Sequence, residues 1–207
     1  MARSAKSFDR HEPRFKQQAT VLVICEDTKS GKSYLEDAKV HFRADAKVEV
    51  AHAGKTDPRG IVEYAIARHK QYDAIYCVID RDTHETFSEA EALAKPHKNI
   101  ELIASHPCFE FWLFLHFKYS RKAYAAVGGH SPGAQMLRAL KECEGMDLYD
   151  KGANVSLFTL LLDRLPQARS HATRAMADAL KVGNLNPSTK LHDLIAAFEK
   201  LSQPQEL

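Results

Sequence analysis

The chain is short of paired cysteines. Its four, Cys25, Cys77, Cys108 and Cys143, are widely spaced, with no Cys-x-x-Cys among them. That argues against a zinc site and a disulfide framework, and it fits a reducing cytoplasm. Cys25 and Cys77 sit in apolar runs and read as core residues. No apolar run approaches the roughly 18 residues of a membrane span, and no signal-peptide pattern is visible. A cytoplasmic protein without membrane contact is the expectation. A large charge of either sign is also missing: 29 Lys and Arg oppose 27 Asp and Glu, for a net charge of +2. By itself this implies no polyanionic partner, although a local basic patch remains compatible with it. Internal repeats and low-complexity tracts are absent. What remains is 207 residues, 44% hydrophobic and 27% charged. This is the composition of an ordinary globule with one domain and room for an appended subdomain.

The most informative stretch is Tyr72 to Asp82. The run Ala74-Ile75-Tyr76-Cys77-Val78-Ile79 is continuous, apolar and rich in β-branched and aromatic residues. It suits a strand covered on both faces, as in a parallel sheet. Asp80 and Asp82 follow at once. On an extended chain, residues two apart point the same way, so both carboxylates face one side at the carboxyl end of a strand. Open α/β sheets place their ligands there, and hard divalent cations prefer such oxygens. The plain alternative is that the two aspartates cap the next helix or line a solvated turn.

A second two-sided run, Thr20 to Cys25, ends in Glu26. The following Gly31-Lys32-Ser33 imitates the end of a phosphate-binding loop, opening a helix to about Ala44. That loop needs a glycine five positions before Gly31, where this chain has Glu26, a carboxylate that would repel a β-phosphate. With adjacent parallel strands, Glu26, Asp80 and Asp82 instead meet at one sheet edge. Three acidic groups there would bind one or two magnesium ions. Lys47 to His52 alternates as a half-exposed strand. Asp57 or Thr56 caps a helix opened by Pro58. Thr83 caps a helix from about His84 to Ala94, and Asn99 to Ala104 is a fourth strand. The alternation gives an α/β chain.

Residues 1–18 are polar and mostly basic and read as a flexible arm or, more sharply, a nucleic-acid contact arm. Beyond the fourth strand, Pro107 suits the first turn of an aromatic helix on which His106 and Glu110 would share a face. Glu110 stands out there, because charges are rarely buried without a partner. Gly128 to Gly133 reads as a mobile loop. Helices follow at about 134–144, 155–165 and 167–182, and a turn over Asn184 to Thr189 caps a terminal helix.

Four motifs together carry a resemblance. They are Glu26 with Lys29 after the first strand, Gly54 with Asp57-Pro58, Asp80-Arg81-Asp82 with His84, and Pro107-Cys108-Phe109-Glu110 with Trp112-Leu113. The set resembles the RloB family, found in prokaryotic restriction and phage-defence loci and similar to Toprim-domain proteins. It is clear over about residues 20–118 and weaker to the end. The resemblance implies a Toprim-like parallel sheet of about four strands flanked by helices over 19–118, with a helical elaboration over 119–207. It further implies a metal-dependent nuclease cleaving DNA or RNA in anti-phage defence. Glu26, Asp80 and Asp82 would be its catalytic metal ligands for Mg2+ or Mn2+, with Lys29 and Glu110 as lesser catalytic candidates. The implied partners are nucleic acid and a defence-system protein such as an ATPase, and an oligomer is compatible with the pattern. The chain departs from the family at Asp27, where glycine is usual. Two other readings stay open: a non-catalytic nucleic-acid-binding or regulatory subunit of a defence complex, and a P-loop-like nucleotide binder.

Overall fold

A computed structural model describes residues 19–44, 47–81, 84–152 and 156–203. The basic segment 1–18, Asp82 and Thr83 lie outside the described residues. Four apolar runs become the parallel strands β1 (Val21–Cys25), β2 (Val48–His52), β3 (Ala74–Asp80) and β4 (Ile100–His106). Helices α1 (Ser30–His41), α2 (Pro58–Ile66) and α3 (Phe87–Ala94) lie between them. The expected alternation is therefore present. A fifth strand, β5 (Ser188–Thr189), joins antiparallel to the end of β4, and the order is β2-β1-β3-β4-β5. Two residues inside a polar turn carry no strand periodicity, so nothing in the sequence announced β5.

Every residue of β1 is buried, because helices cover both faces. Leu22 and Ile24 face a smaller core with Ile61, Val62 and Ala65 of α2 and Phe87, Ala90 and Ala94 of α3. Val21, Val23 and Cys25 face a larger core. That core takes in α1, α4 (Glu110–Leu115), α5 (Pro132–Lys141), α6 (Leu157–Leu161), α7 (Leu165–Val182) and α8 (Leu191–Leu201). The alanine series of the sequence supplies the packing stripe of α7, where Ala168, Ala172, Ala175 and Ala179 are fully buried. Helix α7 ends at Gly183, whose φ of 65° is the left-handed stop that favours glycine.

Several boundaries differ from the expectations. Helix α1 stops at His41, before a tight turn through Arg43. Helix α3 begins at Phe87 rather than His84. Pro107 follows a cis peptide bond, and α4 starts only at Glu110. His106 therefore ends β4 and packs on the Phe87 ring at 6.1 Å, so it does not share a helix face with Glu110. Pro132 opens α5, which trims the expected Gly128–Gly133 loop. The stretch expected at 155–165 is α6 followed by a short 3-10 turn over Leu162–Arg164. Asp57 behaves as expected, accepting the Gly60 N–H at 2.9 Å to cap α2.

Candidate functional site at the sheet switch point

From β1 the chain steps outward to β2, then returns across β1 to form β3 on its other side. The strand order therefore reverses between β1 and β3, and a crevice opens at their carboxyl ends. Glu26 directly follows β1 and Asp80 ends β3. Glu26 Oε2 accepts the Asp80 backbone N–H at 2.9 Å, and its Oε1 lies 2.9 Å from His84 Nε2. Asp80 Oδ1 accepts the Phe109 N–H at 2.8 Å. The segment that leads from β4 into α4 thus aims Asp80.

Glu110 opens α4 and is 1% exposed. Its Oε1 lies 2.8 Å from Lys151 Nζ and 3.1 Å from the Tyr149 hydroxyl. Tyr149 also lies 2.9 Å from Ser30 Oγ. With its proton on the carboxylate, the phenol oxygen accepts from the serine. Glu110 Oε2 is buried and has no hydrogen-bond partner among the described residues. Ligand atoms of Asp80, Cys108 and Glu110 all lie within 4.8 Å of one another.

The electrostatics follow from this crowding. Burial pushes the Asp80 carboxyl well above the usual carboxylate range, and the Glu110 and Glu26 charges push the same way. Burial also raises Glu26, against the opposing pull of the Asp80 N–H and His84. Cys108 is raised by burial and then by Glu110 and Asp80, so it stays a thiol. Burial alone would lower the Lys151 ammonium. Glu110 reverses that, and the net shift is upward.

A cavity of about 180 Å³ opens onto Glu26, Asp27, Lys29, Asp80, Phe109 and Lys151. The stem of Lys29 packs on Gly152, whose added Cβ would meet it at 3.3 Å. Among the described residues its ammonium makes no ion pair. Asp27, the departure from the family's glycine, has a defined role. Its Oδ1 accepts the N–H of Lys29 at 3.1 Å and of Lys32 at 3.4 Å, in place of a side-chain cap on α1. Amides that a phosphate would need are thereby occupied, and Lys32 Nζ lies 3.8 Å from Glu36.

Of the expected site residues, the fold brings Glu26, Asp80, Lys29 and Glu110 together, while Asp82 lies outside the described residues. His84 joins the site through Glu26, and His106 does not join it. The contacts of Tyr149 and Cys108 with this centre were not foreseen. Cys108 stood within a recognised motif, but Tyr149 is 39 positions from Glu110 and only the tertiary fold pairs them.

Fold and site together define an α/β protein with an acidic centre at its switch point. A family model for RloB-like proteins matches residues 21–198, and the chain belongs to the RloB family. No curated protein and no solved structure matches it. Among the described residues no helix is long and apolar enough to cross a membrane.

Proposed function

We propose that this chain is a metal-dependent nuclease that hydrolyses phosphodiester bonds of DNA or RNA in prokaryotic anti-phage defence. One observation carries the reading. Glu26, Asp80 and Glu110 converge at the switch point, Lys151 is the one ammonium paired with them, and among the described residues a buried oxygen of Glu110 has no hydrogen-bond partner. Burial makes surplus negative charge costly, and a divalent cation would offset it. The donor set fits Mg2+ or Mn2+. Asp80 and Glu110 offer oxygens, Cys108 stays a protonated neighbour, and Asp82 joins them through the family resemblance. Both oxygens of Glu26 are engaged, so its part is that of a proton acceptor or of a ligand after His84 moves. When bound, such an ion supplies charge neutralisation at the phosphate and a more acidic water. Lys29 and Lys151 border the cavity and are placed to meet phosphate oxygens.

A second reading, a nucleic-acid-binding or regulatory subunit without turnover, draws on Lys151, which already sits on Glu110 as a built-in cation. The P-loop reading loses support from Asp27, which fills the amides it would need. Plasmid DNA, single-stranded DNA and total tRNA incubated with Mg2+ or Mn2+ test the proposal, beside Asp80→Ala. Cleavage that needs metal and disappears in the variant is the expected result. Calorimetric metal binding without cleavage of any substrate would favour the second reading.

A further inference from the structure

Toward the other edge of the sheet lies a groove that shares no residue with the acidic centre. Strand β4 pairs with β3 along its length, but β5 covers only Ser105 and His106. The Asn99 and Ser105 carbonyls accept the N–H groups of Ile75 and Arg81, so alternation turns residues 101 and 103 toward β3 and residues 100, 102 and 104 outward. Two of these outward groups are paired. The Ile100 N–H goes to the His97 carbonyl at 3.0 Å, and the Ala104 carbonyl accepts from Lys190 at 3.1 Å. Among the described residues the N–H and C=O of Leu102 have no main-chain partner in either neighbouring ladder. They open into a groove of about 640 Å³ between β4 with α3 on one wall and α7 on the other. Met176, Leu180 and Leu185 line the far wall, and Leu180 is 67% and Leu185 39% exposed. At the rim Lys190 lies 3.6 Å from Glu101, while among the described residues Lys95 and Lys98 make no ion pair, and Glu91 and Glu101 are the acidic side chains of the lining.

We infer that this groove is a docking site for an extended segment of a partner protein, bearing alternate apolar and acidic side chains, that pairs with β4 in line with β5. The open main-chain groups of an edge strand supply the pairing, the leucines receive the apolar side chains, and Lys95 with Lys98 set the preference for acid. The slot has walls on both sides. A second copy's β4, flanked by its own α3 and α7, does not enter it. The site spans Ile100 to Ala104, about five residues of extended chain.

The probe is a fluorescent peptide of alternating glutamate and valine, compared by anisotropy with its lysine–valine counterpart and with a copy N-methylated at alternate residues. Leu102→Pro removes the outward N–H at an edge position where proline is tolerated. The glutamate peptide should bind saturably. N-methylation, lysine replacement and Leu102→Pro should each weaken it by about tenfold or more, the effect of one or two lost hydrogen bonds or ion pairs. Equal binding of the N-methylated peptide overturns the inference, as does absence of binding up to about 1 mM. A dimer by ultracentrifugation that Leu102→Pro dissociates overturns it too. If Leu102→Pro fails to fold, the N-methylated peptide decides.

Discussion

Glu26 and Glu110 flank the same aspartate and are held in opposite ways. Glu26 is satisfied by its own neighbourhood, with one oxygen on the Asp80 amide and the other on His84. Glu110 is almost fully buried, depends on Lys151 and Tyr149 from a distant loop, and has one oxygen without a hydrogen-bond partner among the described residues. A carboxylate with both oxygens bonded must release a partner before it can hold a cation. One with an open oxygen beside a repelled aspartate is ready for a cation. On the proposed function, the difference puts the metal-binding half of the centre on the α4 side of Asp80.

The largest effect should come from the residue between them. Asp80→Asn is expected to lower metal-dependent cleavage by about a thousandfold or more, the scale of losing a catalytic metal ligand. The same change should raise the melting temperature at neutral pH. A carboxyl whose pKa is raised on folding contributes stability below the ordinary carboxylate value and loses it as pH climbs through the raised one. Asparagine keeps an acceptor for the Phe109 N–H without that deficit, and a gain of about 2–4 °C is expected. An unchanged melting temperature would show that neither burial nor the Glu110 and Glu26 charges penalise the Asp80 carboxylate.

Lys151→Met strands the Glu110 charge. The Lys151 side chain is 42% exposed while that of Glu110 is 1% exposed, so the cost should be about 2 kcal/mol in urea unfolding, below that of a fully buried pair. Added Mn2+ should recover part of that loss if the ion replaces the ammonium.

The pH dependence of Mn2+ binding sharpens the contrast further. Asp80 must shed its proton to bind metal, so affinity should rise on the order of tenfold per pH unit until its raised pKa is passed, then level off. Calorimetry across pH reads this directly, and a flat profile would remove Asp80 from the ligands. The smallest effect is expected at Glu26→Gln. The amide can still accept the Asp80 N–H and donate to His84, so stability should change by about 1 kcal/mol or less. A loss as large as that of Lys151→Met would erase the distinction between the two glutamates.

Much of this was legible along the chain. Runs such as Val21–Cys25 and Ala74–Asp80 announce buried strands, and the carboxylates that end them announce a loaded sheet edge. Glu110 was visible as a charge in an apolar stretch. Its surroundings were not, because Lys151 and Tyr149 reach it through a contact between segments some 40 positions apart. Pro107 misled in the other direction, since a proline that suits a helix start also suits the bend before one.

The sequence by itself determined the α/β alternation, the strand cores, the Asp57 cap and the acidic ends of β1 and β3, because each rests on neighbours within a few residues. The tertiary structure decided the strand order that makes a switch point and the two-residue β5 that leaves most of β4 uncovered. It also decided which buried carboxylate oxygen lacks a hydrogen-bond partner among the described residues. Those features depend on which distant segments pack together, and a linear pattern of hydrophobic and charged residues does not encode such a pairing one residue at a time.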